Sequence, residues 1–131
     1  MREQQSYSYA IVRVVPRVER EEFINVGVLL YCQAERYLRA SIELDEPRLH
    51  ALWPVLELAP LREQLTAFAE VADGRATHSP ISALSVSERF HWLAAARSTV
   101  VQVSPVHTGV CTDLDARLDK LMAQYVALPP P

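Results

Sequence analysis

The run Phe23 to Cys32 (FINVGVLLYC) constrains this chain more than any other segment. It is rich in β-branched and aromatic residues, has the length of one strand, and stops at Gln33-Ala34-Glu35-Arg36. Side chains on a strand alternate between its two faces. Ile24, Val26, Val28, Leu30 and Cys32 then form a wholly apolar face suited to lie under helices. The opposite face carries Phe23, Asn25, Gly27, Leu29 and Tyr31.

Neighbouring segments extend this into a sheet. Tyr7 to Val15 (YSYAIVRVV) has the same character and stops at Pro16, and Tyr37 to Glu43 reads as a third, weaker strand. Short connectors between successive strands predict an antiparallel meander. Helical signals follow. Asp45 with Pro47 marks a helix start, and Leu61, Leu65, Phe68 and Ala72 recur at helical spacing up to Asp73-Gly74. Arg75 to Leu84 reads as an exposed loop, and Ser85-Val86-Ser87-Glu88 has the form of a capping box. Val100 to Val103 is a candidate fourth strand. Thr112 is the expected cap of a last helix with Leu114, Leu118, Leu121, Met122 and Tyr125 on its apolar face. The fold class expected is α+β: an antiparallel, three- to four-stranded meander sheet with helices packed on one face. One domain over 1–131 accounts for the length, with 1–6 and 128–131 as loose termini.

Composition narrows the function classes. Half of the residues are hydrophobic and 22% are charged, which supports a core and argues against disorder. The net charge is −3, and arginines alternate with glutamates in Arg17-Val18-Glu19-Arg20-Glu21-Glu22. No basic stripe of the kind that displaces phosphate counterions results, so no nucleic-acid partner is expected. No apolar stretch approaches the roughly 20 residues that cross a bilayer, and the opening residues lack a leader pattern. A cytoplasmic protein with two reduced, buried thiols, Cys32 and Cys111, is the expectation.

Chemistry-bearing patterns are sparse. The histidines His50, His78, His91 and His107 show no metal-type i, i+4 spacing. His107 with Cys111, Asp113 or Asp115 is the one local cluster of metal-like character, and it falls short of a closed ligand set. Cys32 ends an apolar strand face and reads as a core thiol, not a nucleophile. Glycine-rich phosphate loops and nucleophile elbows are absent from the sequence. No cofactor is expected, and an enzyme assignment does not emerge.

The order of Tyr9 to Pro16, Glu22-Phe23-Ile24-Asn25-Val26-Gly27-Val28, Phe90-His91-Trp92-Leu93, Ser98 to Ser104 and the Leu-rich last helix resembles the bacterial domain-of-unknown-function family 3037. The resemblance supplies no activity and no catalytic residues. It implies a protein partner, a HipA-like kinase-fold protein.

The sheet offers one candidate working face. A tight hairpin across Pro16 to Glu22 sets Val15 near Phe23 and Arg13 opposite Asn25, with Tyr9 further along. Arg13, Glu22, Asn25, Gly27, Tyr9 and Tyr31 are the candidate binding residues. Arginine and tyrosine are common interaction anchors, and glycine in mid-strand suggests close approach by another backbone or a ligand. The competing reading is structural: Arg13 pairs with Glu22 or Glu43 and holds the hairpin in register. The functional reading is a noncatalytic interaction or accessory module. The alternative is a small enzyme or small-ligand binder using Arg13, Glu22 and Asn25. An unpaired sheet edge leaves a homodimer open.

Overall fold

The computed structural model describes residues 3–75, 79–95 and 99–130. Its antiparallel sheet has five strands: β1 (Gln5–Val14), β2 (Ile24–Cys32), β3 (Tyr37–Ile42), β4 (Val101–Val103) and β5 (His107–Cys111). The helices are α1 (Glu46–Leu52), α2 (Leu58–Asp73), α3 (Val86–Ala94) and α4 (Leu114–Tyr125). The fold is α+β, with β1, β2 and β3 forming the expected meander and β4 beyond β1.

β1 and β2 pair in a simple register from Ser8↔Tyr31 to Val12↔Gly27, and then Arg13 faces Asn25. One residue of β2, Val26, is thus left over as a β-bulge. A bulge shifts the alternation of every residue beyond it. The continuous apolar face expected from Ile24 to Cys32 is therefore split. Ile24, Val26, Leu29 and Tyr31 belong to the core under α1, α2 and α3, with Leu49, Leu61, Leu65, Phe68, Phe90 and Leu93. Val28, Leu30 and Cys32 belong to a second core with Tyr7 and Ile11. That second core is closed by Leu118, Leu121, Met122 and Val126. Three helices thus cover one face of the sheet, and α4 covers the other.

β5 is the strand the sequence reading did not find. β4 and β5 both run antiparallel to β1, at Val12 to Val14 and at Gln5 to Tyr9, and their registers differ by one residue. They behave as one edge strand interrupted at Ser104-Pro105. Ser104 is buried and repairs the interruption: its Oγ accepts the Ile11 N–H at 2.8 Å, and its own N–H donates to the Ile11 carbonyl at 2.9 Å. His107-Thr108-Gly109-Val110 has weak apolar alternation, which hides a strand whose outer side meets solvent.

Local signals act much as expected elsewhere. Asp45 accepts from the Arg48 N–H, and Ser85 and Glu88 close a reciprocal capping box on α3. Gly74 ends α2 in the left-handed conformation, φ 73°. Thr112 is displaced as cap of α4 by Asp113, whose carboxylate accepts from the Ala116 N–H. In the expected loop 75–84, Pro80–Ala83 forms a 3-10 turn, and Ile81 packs on the first core.

Candidate functional site

Arg13 and Asn25 face each other across β1 and β2 on the α4 side of the sheet. The hairpin that aligns them turns through a 3-10 segment, Val18–Arg20, closed by Glu21 at φ 57°. Asn25 Nδ2 donates to the carbonyl oxygen of Tyr125 at 3.1 Å, so it satisfies a free carbonyl at the C-terminal end of α4. The Arg13 guanidinium lies over the Phe23 ring, 4.0 Å from its centroid. Burial pushes the Arg13 pKa down. Arg13 Nε and Asn25 Oδ1 are both buried without a hydrogen-bond partner. The pair thus combines an unused donor and an unused acceptor.

The other candidate residues divide between separate places. Tyr9 stays on the α4 side, where its hydroxyl meets that of Tyr125 at 3.1 Å and its ring lies 5.4 Å from His107. That hydroxyl contact, with partial burial, pushes the Tyr9 pKa up to about 12. Tyr31 is on the opposite face, stacked on Phe90 with ring centroids 4.5 Å apart. Glu22 pairs with Arg20 at the surface, and no described carboxylate pairs with Arg13. Salt bridging from Glu22 or Glu43 is therefore not what fixes the hairpin register. At Gly27 the close neighbour is backbone: an added Cβ would overlap the Ser41 carbonyl oxygen and lie 2.6 Å from Ile42 Cδ1. β3 itself requires the glycine.

One feature of this end of the sheet escaped the sequence reading. Phe23 is 43% exposed and Val18 40%, and Val55 beyond α1 is 77% exposed. Trp53 lies beneath the guanidinium groups of Arg17 and Arg20, at 5.2 and 6.0 Å from its ring. Arg17 and Arg20 are in turn paired with Glu19 and Glu22. The two guanidinium groups over Trp53 are thus both held in ion pairs of the hairpin turn. Trp53-Pro54-Val55 carried the only sequence signal, as large apolar residues in an interhelical connector.

The metal-like cluster disperses. His107 is exposed beside Tyr9, Cys111 is buried at the end of β5, and Asp113 caps α4. Asp115 accepts from the Tyr37 hydroxyl at 2.8 Å, which helps to push the Tyr37 pKa up after the larger effect of burial. Among the described residues no three His, Cys, Asp or Glu side chains gather as a metal-holding group. His78 lies outside the described residues. Cys32 and Cys111 are free thiols, and no described helix is long and apolar enough to cross a membrane.

None of the curated proteins and none of the solved structures matches the chain. A family model described as "Protein of unknown function (DUF3037)" matches residues 9–126, nearly the whole chain, and the chain belongs to that family.

Proposed function

We propose that this member of the DUF3037 family is a noncatalytic protein-interaction module that docks through the β1–β2 end of its sheet. The observation carrying this reading is Phe23, an aromatic side chain 43% exposed and stacked on Arg13. Aromatic residues and arginine dominate binding hot spots, and an apolar centre inside a polar rim is the usual anatomy of an interface. Val18 of the adjoining hairpin turn is also exposed, and the Arg17–Glu19 and Arg20–Glu22 pairs of that turn supply polar surroundings. The partner that fits is a protein with an apolar pocket for the Phe23 ring. A HipA-like kinase-fold protein, which the family resemblance brings forward, is the first to try. The bacterial cytoplasm is the setting that goes with this reading, since both thiols are buried and unpaired.

The test is binding of the purified domain to a purified kinase-fold candidate from the same genome, read by calorimetry with Phe23→Ser and Arg13→Ala beside the parent. Saturable binding that both changes weaken supports the reading. Binding unaffected by either change, or none to any such candidate, removes it. Self-association lost in Phe23→Ser would instead assign the surface to a second copy of the chain.

A second reading, a small polar ligand held by the Arg13–Asn25 pair, is favoured by one observation: both carry a buried polar atom with no partner. Glu22 does not take part in it, because its carboxylate is engaged by Arg20. Five surface grooves on the described residues, of about 470 to 610 Å³, are lined by other side chains.

A further inference from the structure

At the opposite end of β2 from Phe23, the β2–β3 hairpin turn faces the start of α3. The groove between them has a volume of about 610 Å³ and is lined by Tyr31, Gln33, Arg36, Ser85 to Ser87 and Arg89. A second groove of about 470 Å³ shares Arg36 and Arg89 with it and adds Arg39 and Arg75. Four arginines therefore line one connected surface on a chain whose net charge is −3.

Few of these charges are cancelled. The first groove has no acidic residue in its lining. In the second, Glu35 and Asp73 stand against four guanidinium groups, and Asp73 is paired with Arg75. Arg39 reaches Asp115 only at 3.9 Å, with both side chains exposed. Arg89 donates to two neutral carbonyls, Leu84 at 2.9 Å and Ala72 at 3.4 Å, so its position is fixed while its charge is kept. Its Nε is buried without a partner.

Arg36 adds an independent observation. It sits at φ 48°, a left-handed conformation that side-chain-bearing residues seldom adopt outside asparagine and aspartate. A turn that needs this conformation is ordinarily best served by glycine, and Glu21 holds the same conformation in the first hairpin; what distinguishes Arg36 is its place in the lining of both grooves. Ser85 and the first turn of α3 complete the groove. Glu88 N–H is taken by Ser85 Oγ, and the Glu88 carboxylate accepts from the Ser85 N–H and Oγ at 3.4 and 2.8 Å, so the capping box already sets one acid against the helix start and the arginines supply the groove's positive charge.

We propose that this groove binds a phosphate-bearing anion, with Arg36 and Arg89 as its two cationic contacts. The ligand chemistry is a phosphoryl group with two or more negative charges, which matches two guanidinium groups better than a monovalent ion does. The site is separate from the Phe23 surface, and its failure would leave that reading intact.

The experiment is calorimetric titration of the full chain with inorganic pyrophosphate at low ionic strength, in parallel with sodium sulfate and sodium chloride. Arg36→Gly is the test variant, because glycine accepts the left-handed turn while the whole arginine side chain, with its guanidinium, is removed. Expected are one saturable site for pyrophosphate, weaker sulfate binding, no chloride binding, and about tenfold or greater loss of affinity in Arg36→Gly. Thermal unfolding of that variant should not fall below the parent, which separates lost binding from lost fold. Competition by a nucleoside diphosphate or by phosphoserine then tells which source of phosphate the groove takes. No saturable site, equal binding of all three anions, or an unchanged affinity in Arg36→Gly would overturn the assignment.

Discussion

Asn25 Nδ2 donates to the carbonyl oxygen of Tyr125, which ties the second strand to the end of the last helix 100 residues later. The bond joins the bulged part of β2 to the one helix that covers its side of the sheet. Asn25→Ala should lower the stability to unfolding in urea by about 1 kcal/mol, the usual net value of one such bond. A lower midpoint with an unchanged slope is the expected result, since the exposed area on unfolding does not change. An unchanged midpoint would mean that Asn25 does not anchor α4.

Gly27 is predicted to be the least replaceable residue of β2. Adding a single methyl at this position drives it into the Ser41 carbonyl and the Ile42 side chain of β3. Gly27→Ala should cost about 3 kcal/mol, at the upper end for overpacking, because the obstructing group is backbone. Comparison of unfolding midpoints checks this, with Gly74→Ala as a contrast in which a strained φ replaces a steric clash.

Ser104 should be as sensitive as a core residue although it is polar. Ser104→Ala removes the acceptor of the Ile11 N–H and leaves that buried donor unpaired, at a cost of about 1–3 kcal/mol. Amide hydrogen exchange provides the check: protection at Ile11 should fall well before that at Leu29 and Leu30.

Phe23→Ser should leave stability within about 0.5 kcal/mol of the parent, as expected for an exposed position. Arg13→Ala should cost more, because it removes a partly buried side chain that covers the strand beside Asn25. The two variants separate docking from folding: loss of partner binding in Phe23→Ser without loss of stability is the signature of an interaction surface. Equal destabilisation in both would assign Phe23 to the core.

The Tyr9–Tyr125 pair sets a stability limit at alkaline pH. The Tyr9 hydroxyl titrates near 10.0 when unperturbed and near 12 in the fold, held up first by its contact with Tyr125 and then by burial. A raised pKa means that the folded chain keeps this proton when the unfolded chain has lost it. The stabilisation is therefore complete below pH 10 and is lost as pH rises towards 12. Absorbance titration should show late-ionising tyrosines, Tyr9 and Tyr37, of which Tyr9→Phe removes one and leaves the other. Urea midpoints of the parent should decline over the same window and those of Tyr9→Phe less so.

The meander, the helix starts at Asp45 and Ser85, and the pairing of Arg13 with Asn25 are legible in the residues alone. Each depends on residues close in the chain: turn lengths, caps and alternation around one short hairpin. The remaining features depend on contacts between separate segments of the chain. The bulge at Val26 is a feature of the pairing between β1 and β2 and not a property of the segment alone. It redistributes Val28, Leu30 and Cys32 to the α4 side, so that both faces of the sheet are packed. β5 carries weak alternation and is a strand because β1 offers it an open edge. The Phe23 ring under Arg13, the Trp53 ring under Arg17 and Arg20, and the four-arginine groove join residues from separate elements. Strand and helix signals are local in range, whereas a surface is made by whichever segments the packing of the two cores brings together.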